Sequence, residues 1–192
     1  AGPGDTIALE SPTYFALLQI IESLGMKALE IPTHSRTGVS VEALELATRN
    51  GAVKACLLVP TANNPLGCIM PEENKRRVAE LLAERNVPLI EDDIYGDLHF
   101  SEERPRPIKS YDTSGNVMLV SSFTKTVSPG LRIGYIAAGR HTATVATLKT
   151  LSSGATGAMP QAALAEFIEG GGFDRQLRQA RRTYAGLVAR MS

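Results

Sequence analysis

"NVMLVSSFTKTVSPGLRIGYIAAG", residues 116–139, is two apolar runs joined by a loop of unusual chemistry. Val117–Val120 reads as a buried strand and "RIGYIAAG" as another. Between them Lys125 stands among small hydroxyl residues, and Arg132 follows seven positions later across a Ser128-Pro129-Gly130 turn. A charge at the end of a core strand is costly to bury. Either the side chain reaches water, or its amine has a chemical task.

Moving outward from this stretch, short apolar runs alternate with amphipathic ones. "DTIALE" reads as a strand. Pro12 then opens "PTYFALLQIIESLG", with Leu17, Leu18, Ile21 and Leu24 on one helical face and Gly25 as the stop. "MKALEIP" is the next strand, and Ser40 can cap a helix over "VEALELATRNG". "VKACLLVP" is the continuous apolar run of a parallel strand covered on both faces. "PEENKRRVAELLAERN" carries Pro71 at its start, acids early and Val78, Leu81 and Leu82 on one face. "VPLIEDD" is a strand, and the Pro-rich "SEERPRPIKSYDTSG" leads on to Val117. Three helical patterns follow His141, the last rich in arginine. Strands alternating with helices imply an α/β fold: a mostly parallel open sheet with helices on both faces.

Composition narrows the function. The 192 residues are 43% hydrophobic, enough for a sizeable core, and 20 Lys+Arg balance 20 Asp+Glu. That balance gives no polyanion-binding signal. Cys56 and Cys68 make neither a disulfide framework nor a zinc site. No apolar run is long enough to span a membrane, and "AGPGDTIALE" is not a signal peptide, so a cytoplasmic location is expected.

In open α/β sheets, ligands bind beyond the carboxyl ends of the strands. Three polar loops belong there: "TANNPLG" (61–67), "EDDIYGDL" (91–98) and "SSFTKTVSPGLR" (121–132). Singly, each has an ordinary reading. Asn-Pro and Gly make turns, three acids make a solvated loop or a divalent-cation site, and Lys125 and Arg132 serve as surface cations. Together they suit one ligand. Ser122, Arg132 and the Ser-Pro-Gly turn fit a phosphate. A lysine amine can form a Schiff base with an aldehyde, provided that its pKa is lowered by roughly three units. A carboxylate suits a protonated ring nitrogen, and Asn and Tyr suit a phenolic oxygen. Phosphate, aldehyde, pyridine nitrogen and ring hydroxyl describe pyridoxal phosphate.

"NNPLG", "EDDIYG" and "SSFTKTVSPGLRIGYIAAG" resemble, in order, the N-P-x-G, D-x-x-Y and S-x-x-K…Arg motifs of fold-type I pyridoxal-phosphate enzymes, the class I/II aminotransferases. The resemblance implies that residues 1–192 form the cofactor-binding large domain, incomplete at both ends. It implies that Lys125 carries the Schiff base and shuttles protons, and that Asp92 rather than Asp93 pairs with the pyridinium nitrogen. Asn64 and Tyr95 then hold the ring oxygen, Tyr14 of "SPTY" stacks on the ring, and Ser122 and Arg132 grip the phosphate. Glu91 and Asp93 are expected as polar frame, His34 and His99 as edge or loop residues, and the arginines of the last helix as a solvated face. The family's glycine-rich phosphate-binding helix start and its small C-terminal domain are not in this sequence, so the chain alone is expected to transaminate poorly. "GDTIALESPTYFALLQIIESLGMKALEIPT" and "VPLIEDDIYGDLHF" resemble the aminotransferase-like domain of MocR-type GntR regulators. These sense a ligand and bind DNA through a winged helix, which lies outside this chain. Free-standing aminoadipate- and kynurenine-type aminotransferases share most of the same residues. The resemblance further implies an amino acid or amine ligand and a homodimer.

Overall fold

A computed structural model describes residues 1–191; Ser192, the last residue of the expected domain, lies outside the described residues. Its centre is a seven-stranded sheet in the order β3-β2-β1-β4-β5-β6-β7. The strands are β1 (Thr6–Ser11), β2 (Lys27–His34), β3 (Gly38–Val39), β4 (Val53–Leu58), β5 (Leu89–Asp92), β6 (Val117–Ser122) and β7 (Gly134–Ala137). The inner strands β2, β1, β4, β5 and β6 run parallel, while β3 and β7 close the two edges antiparallel. The expected mostly parallel sheet is therefore present. Neither antiparallel edge shows in the apolar pattern, because strand direction is a property of the connection: three residues link β2 to β3, and eleven link β6 to β7.

Helices cover both faces. Leu17, Leu18 and Ile21 of α1 (Phe15–Ser23) pack on Ile7, Leu9 and Ala55. On the other face, Val41 and Leu44 of α2 (Val41–Thr48) and Val78, Ala79 and Leu82 of α3 (Glu72–Glu84) pack on Ala8, Cys56, Leu58 and Leu89. This two-sided cover explains why the parallel strands read as unbroken apolar runs. The helix ends follow local chemistry. The Ser40 hydroxyl accepts from the Ala43 N–H at 3.2 Å, as a capping serine does. Pro12 lies ahead of α1, which begins at Phe15, and Pro71 stands at the N-cap of α3. After β7 the chain forms α4 (Thr142–Ser153), α5 (Ala158–Glu169) and α6 (Gly172–Met191), all three mostly exposed.

The topology positions the site. From β1 the chain crosses to β2 on one side, whereas β4 lies on the other. The strand order thus reverses at β1/β4, and a crevice opens beyond the carboxyl ends of these two strands. Among the described residues, no helix is long and apolar enough to cross a membrane.

Candidate functional site

A cavity of about 230 Å³ occupies that crevice, lined by Tyr14, Leu17, Val59, Asn64, Asp92, Ile94, Tyr95 and Lys125. Five residues singled out from sequence thus meet in one place, contributed from beyond β1, β4, β5 and β6. Ser122 and Arg132 lie elsewhere, in a more open cleft of about 450 Å³ lined also by Thr124, Gly134 and Tyr135. The two spaces share the loop 121–132, with Lys125 facing one and its ends lining the other.

Strand alternation decides which acid faces the cavity. In β5, Leu89 and Glu91 turn to the α2/α3 face, where Leu89 joins the core and Glu91 is fully buried. Glu91 there accepts the Ile108 and Lys109 N–H groups at 2.6 and 2.8 Å, fastening the Pro-rich excursion to the sheet. Asp92 turns the opposite way, into the cavity on the α1 side. Its Oδ1 accepts from the Ile94 N–H at 3.1 Å, and burial raises its pKa. Asp93 is buried and paired with Arg104, which also binds Asp97 at 2.7 Å. The three acids therefore have three separate jobs, and they do not form a cation cluster.

Gly96 follows from the same arrangement. A Cβ there would lie 2.5 and 2.6 Å from the two Asp93 carboxylate oxygens and 2.7 Å from Arg104 Nη2. Only glycine lets the chain turn this closely over the ion pair, so the Gly of "IYGD" is a packing requirement.

The two asparagines of "NNPLG" also divide their work. Asn64 is exposed and lines the cavity, whereas Asn63 is buried beneath it. Tyr14, at the N-cap of α1, is 43% exposed, and its ring meets that of Phe15 edge-on at 4.9 Å. It belongs to the cavity wall, not to the core. Lys125 is exposed as well. Strand β6 ends three residues before it, so its stem reaches the cavity from a turn, and the burial that a core-strand lysine would suffer does not arise. Arg132 is exposed and adopts a left-handed conformation, φ 52° and ψ 38°, directly after a 3-10 turn over Pro129–Leu131. His99 is a loop residue whose Nδ1 lies 2.9 Å from the Ser101 carbonyl oxygen, and His34 ends the edge-adjacent strand β2.

Sequence reasoning missed a set of buried polar residues behind the cavity. Glu10, at the end of β1, accepts the Val59 N–H at 2.8 Å and the Asn63 Nδ2–H at 3.0 Å. Burial pushes its carboxyl up to about 7 against the effect of those two bonds. Glu91, which the sequence reading did expect as polar frame, is likewise raised to about 7, by burial. Lys75 is fully buried and donates to the Arg106 carbonyl at 2.8 Å and to the Thr61 hydroxyl at 3.3 Å. Their signal in the sequence was weak but present: an acid closing the apolar run "TIALE", and a lysine inside an otherwise amphipathic helix.

This fold, with amide, carboxylate, phenol and amine converging at its switch point, defines a class, and the comparisons agree. The class I and II aminotransferase model matches residues 1–191, and the chain belongs to that family. Its relatives fall into two kinds. It is 43% identical over 182 residues to the uncharacterized HTH-type transcriptional regulator YjiR of Escherichia coli, covering 95% of this chain and 39% of the relative. It is 34% identical over 181 residues to an aromatic-amino-acid aminotransferase of Thermococcus litoralis, covering 91% of this chain and 43% of that enzyme. Among solved structures, a kynurenine aminotransferase of Pyrococcus horikoshii, described in complex with PMP, superposes with a TM-score of 0.90 at 30% identity. That match covers 96% of this chain and 47% of the enzyme. The α-aminoadipate aminotransferase of Thermus thermophilus, complexed with N-(5'-phosphopyridoxyl)-L-leucine, gives a TM-score of 0.86 at 26% identity, over 95% of this chain and 48% of that one. The chain spans about two fifths of the length of curated relatives such as the Escherichia coli regulator. It is an aminotransferase-like domain, homologous both to regulators and to enzymes.

Proposed function

We propose that residues 1–192 are the pyridoxal-phosphate-binding large domain of an aminotransferase-like protein. The observation that carries this reading is the convergence of Tyr14, Asn64, Asp92, Tyr95 and Lys125 on one cavity at the β1/β4 switch point. The donor set fits the cofactor: a carboxylate, two groups able to hydrogen-bond a phenolic oxygen, an aromatic ring, an amine, and beyond them a hydroxyl with an arginine.

When bound, pyridoxal phosphate supplies an aldehyde and an electron-withdrawing ring. The chain's part is to bind and to move protons. Lys125 presents its Nζ to the aldehyde position and carries protons to and from the ligand's α-carbon. Asp92 holds a proton on the ring nitrogen, where the new positive charge counters the burial that raises its pKa. The Asn64 amide and the Tyr95 hydroxyl orient the ring oxygen. Tyr14 covers one ring face and limits access of water. Ser122 and Arg132 hold the phosphate, with Arg132 suited to a bidentate grip.

The whole protein is a MocR-type regulator in this reading, favoured by the 43% identical regulator relative. Its ligand is an amino acid or amine, it works in the cytoplasm as a homodimer, and DNA contact belongs to a winged helix outside this chain. A second reading, part of a free-standing aminotransferase, is supported by the Thermococcus relative and by the 0.90 TM-score neighbour.

Titration of the chain with pyridoxal phosphate, followed by visible absorption, tests the core of the proposal. A saturable protein-bound band in the wild type, absent from Lys125→Ala, is expected; identical spectra for the two refute the assignment of Lys125. Operator binding by the whole protein that responds to an amino acid without turnover selects the regulator, and steady turnover of that amino acid selects the enzyme.

A further inference from the structure

Strands β1 and β4 are paired through Leu9↔Leu57, and beyond that point they part to form the crevice. One residue further along β1, a side chain takes over from the ladder: Glu10 Oε2 receives the Val59 N–H at 2.8 Å. The same oxygen receives Asn63 Nδ2–H at 3.0 Å. Glu10 is 2% exposed and Asn63 is 2% exposed, so neither contact is shared with bulk water.

Asn63 in turn closes its own loop. Its Oδ1 accepts from Leu66 N–H at 3.2 Å, its carbonyl from Gly67 N–H at 2.5 Å, and its N–H donates to the Cys68 carbonyl at 3.1 Å. Every polar atom of Asn63 is therefore used, and its side-chain amide ties the loop to β1 through Glu10. The next residue, Asn64, faces the cavity.

We propose that Glu10 is a positioning residue for the ring pocket: by holding Asn63 at the point where β1 and β4 separate, it fixes the loop that presents Asn64 to the cofactor ring. This rests on the pyridoxal-phosphate reading above. The geometry explains why an acid is kept where burial is costly. A carboxylate oxygen can receive two N–H donors from different segments at once, which no apolar side chain and no single backbone carbonyl placed in β1 does here. The titratable groups acting on it are the Asp92 carboxyl from β5 and the Cys68 thiol from the loop it secures. Asp92, like burial, disfavours the Glu10 charge, which the two N–H donors offset.

Two measurements test this, one independent of any cofactor. In cofactor-free protein, amide hydrogen exchange at Leu66 and Gly67 is expected to quicken by about tenfold in Glu10→Gln, the order of effect for one buried charge-assisted hydrogen bond. The second compares affinity for pyridoxal phosphate with that for 3-deoxypyridoxal phosphate, which lacks the ring hydroxyl. The wild type prefers the hydroxylated compound, Glu10→Gln reduces that preference, and Asn64→Ala reduces it further. The double variant is expected to match Asn64→Ala, because Glu10 acts through Asn64.

Unchanged loop exchange in Glu10→Gln overturns the proposal. So does a double variant in which the two losses add, since Glu10 would then act on stability alone. A wild-type chain that binds neither compound overturns the cofactor reading and the proposal with it. A wild type that binds both compounds equally refutes only the assigned role of Asn64 at the ring oxygen, and with it this use of Glu10.

Discussion

The two walls of the cavity are built differently. The wall beyond β1, β4 and β5 carries Asn64, Asp92 and Tyr95 on loops cross-linked by side chains: buried Glu10 to Val59 and Asn63, buried Glu91 to Ile108 and Lys109, and half-buried Arg104 to Asp93 and Asp97. The wall beyond β6 carries Lys125, on a loop that runs on to Arg132 in the neighbouring cleft and whose bonds are mostly local, such as Thr124 N–H to the Ser122 hydroxyl and Val127 N–H to the Phe123 carbonyl. All four residues of β7, next to it, are exposed. The acid-and-amide wall is braced from elsewhere in the fold and so preset, and the loop beyond β6 is braced mostly by its own neighbours and so more adaptable. The difference teaches where recognition and adjustment reside. In the proposed reading, the groups that hold the ring are bolted to the sheet, and the amine that moves protons rides on a turn.

Predictions follow from attacking each wall in turn. The largest effect is expected at Gly96. A Cβ pushed against Asp93 and Arg104 must shift an ion pair whose Asp93 end is buried, and Gly96→Ala should cost about 3 kcal/mol in chemical denaturation. A loss below 0.5 kcal/mol would mean that this wall yields easily, and the contrast between the walls would fail.

The next effect is pH dependence. Glu10 and Glu91 both have carboxyls raised to about 7 by burial. In the unfolded chain they ionise near the ordinary glutamate value, so between that value and 7 the folded state binds more protons. Their contribution to stability is complete below about pH 4.5 and is lost as pH rises through 7, by at most about 3 kcal/mol for each. Thermal unfolding of cofactor-free protein from pH 5 to 8 should show a falling Tm. Glu91→Gln should flatten part of that slope while lowering Tm at pH 5, because an amide has one acceptor oxygen for two N–H donors. A slope untouched by Glu91→Gln would sink this account of its titration.

Smaller effects are expected in binding. Asp92→Asn should weaken pyridoxal phosphate by about tenfold, the scale of one charge-assisted hydrogen bond, with little change in unfolding free energy. Arg132→Lys should weaken it only a few-fold, since the more adaptable loop can adjust around a point charge. Equal losses in the two variants would erase the distinction between a preset and an adaptable wall.

Much of this was legible in the sequence. The parallel strands announced themselves as apolar runs, and ordered loops at their carboxyl ends gave the cavity residues by position. Asp92 over Asp93 followed from the D-x-x-Y spacing, and alternation along β5 gives the physical reason. The buried frame was harder to read. Glu10 pairs with a donor 49 residues away and Glu91 with one 17 away, and an isolated acid at a strand end looks the same whether it caps a loop or meets solvent. The N-P-x-G resemblance pointed to Asn64 and gave Asn63 no role; only packing buries Asn63 and exposes Asn64. The exposure of Lys125 was equally hidden, because it depends on β6 ending at Ser122.

The central claim is that Lys125 carries the reactive amine of a pyridoxal-phosphate site. Borohydride reduction of the chain saturated with pyridoxal phosphate, followed by peptide mapping, tests it most directly. A single pyridoxyl label at Lys125 is the predicted result, despite the other exposed lysines that compete for the reagent. A label spread over surface lysines, or none at Lys125, would contradict it.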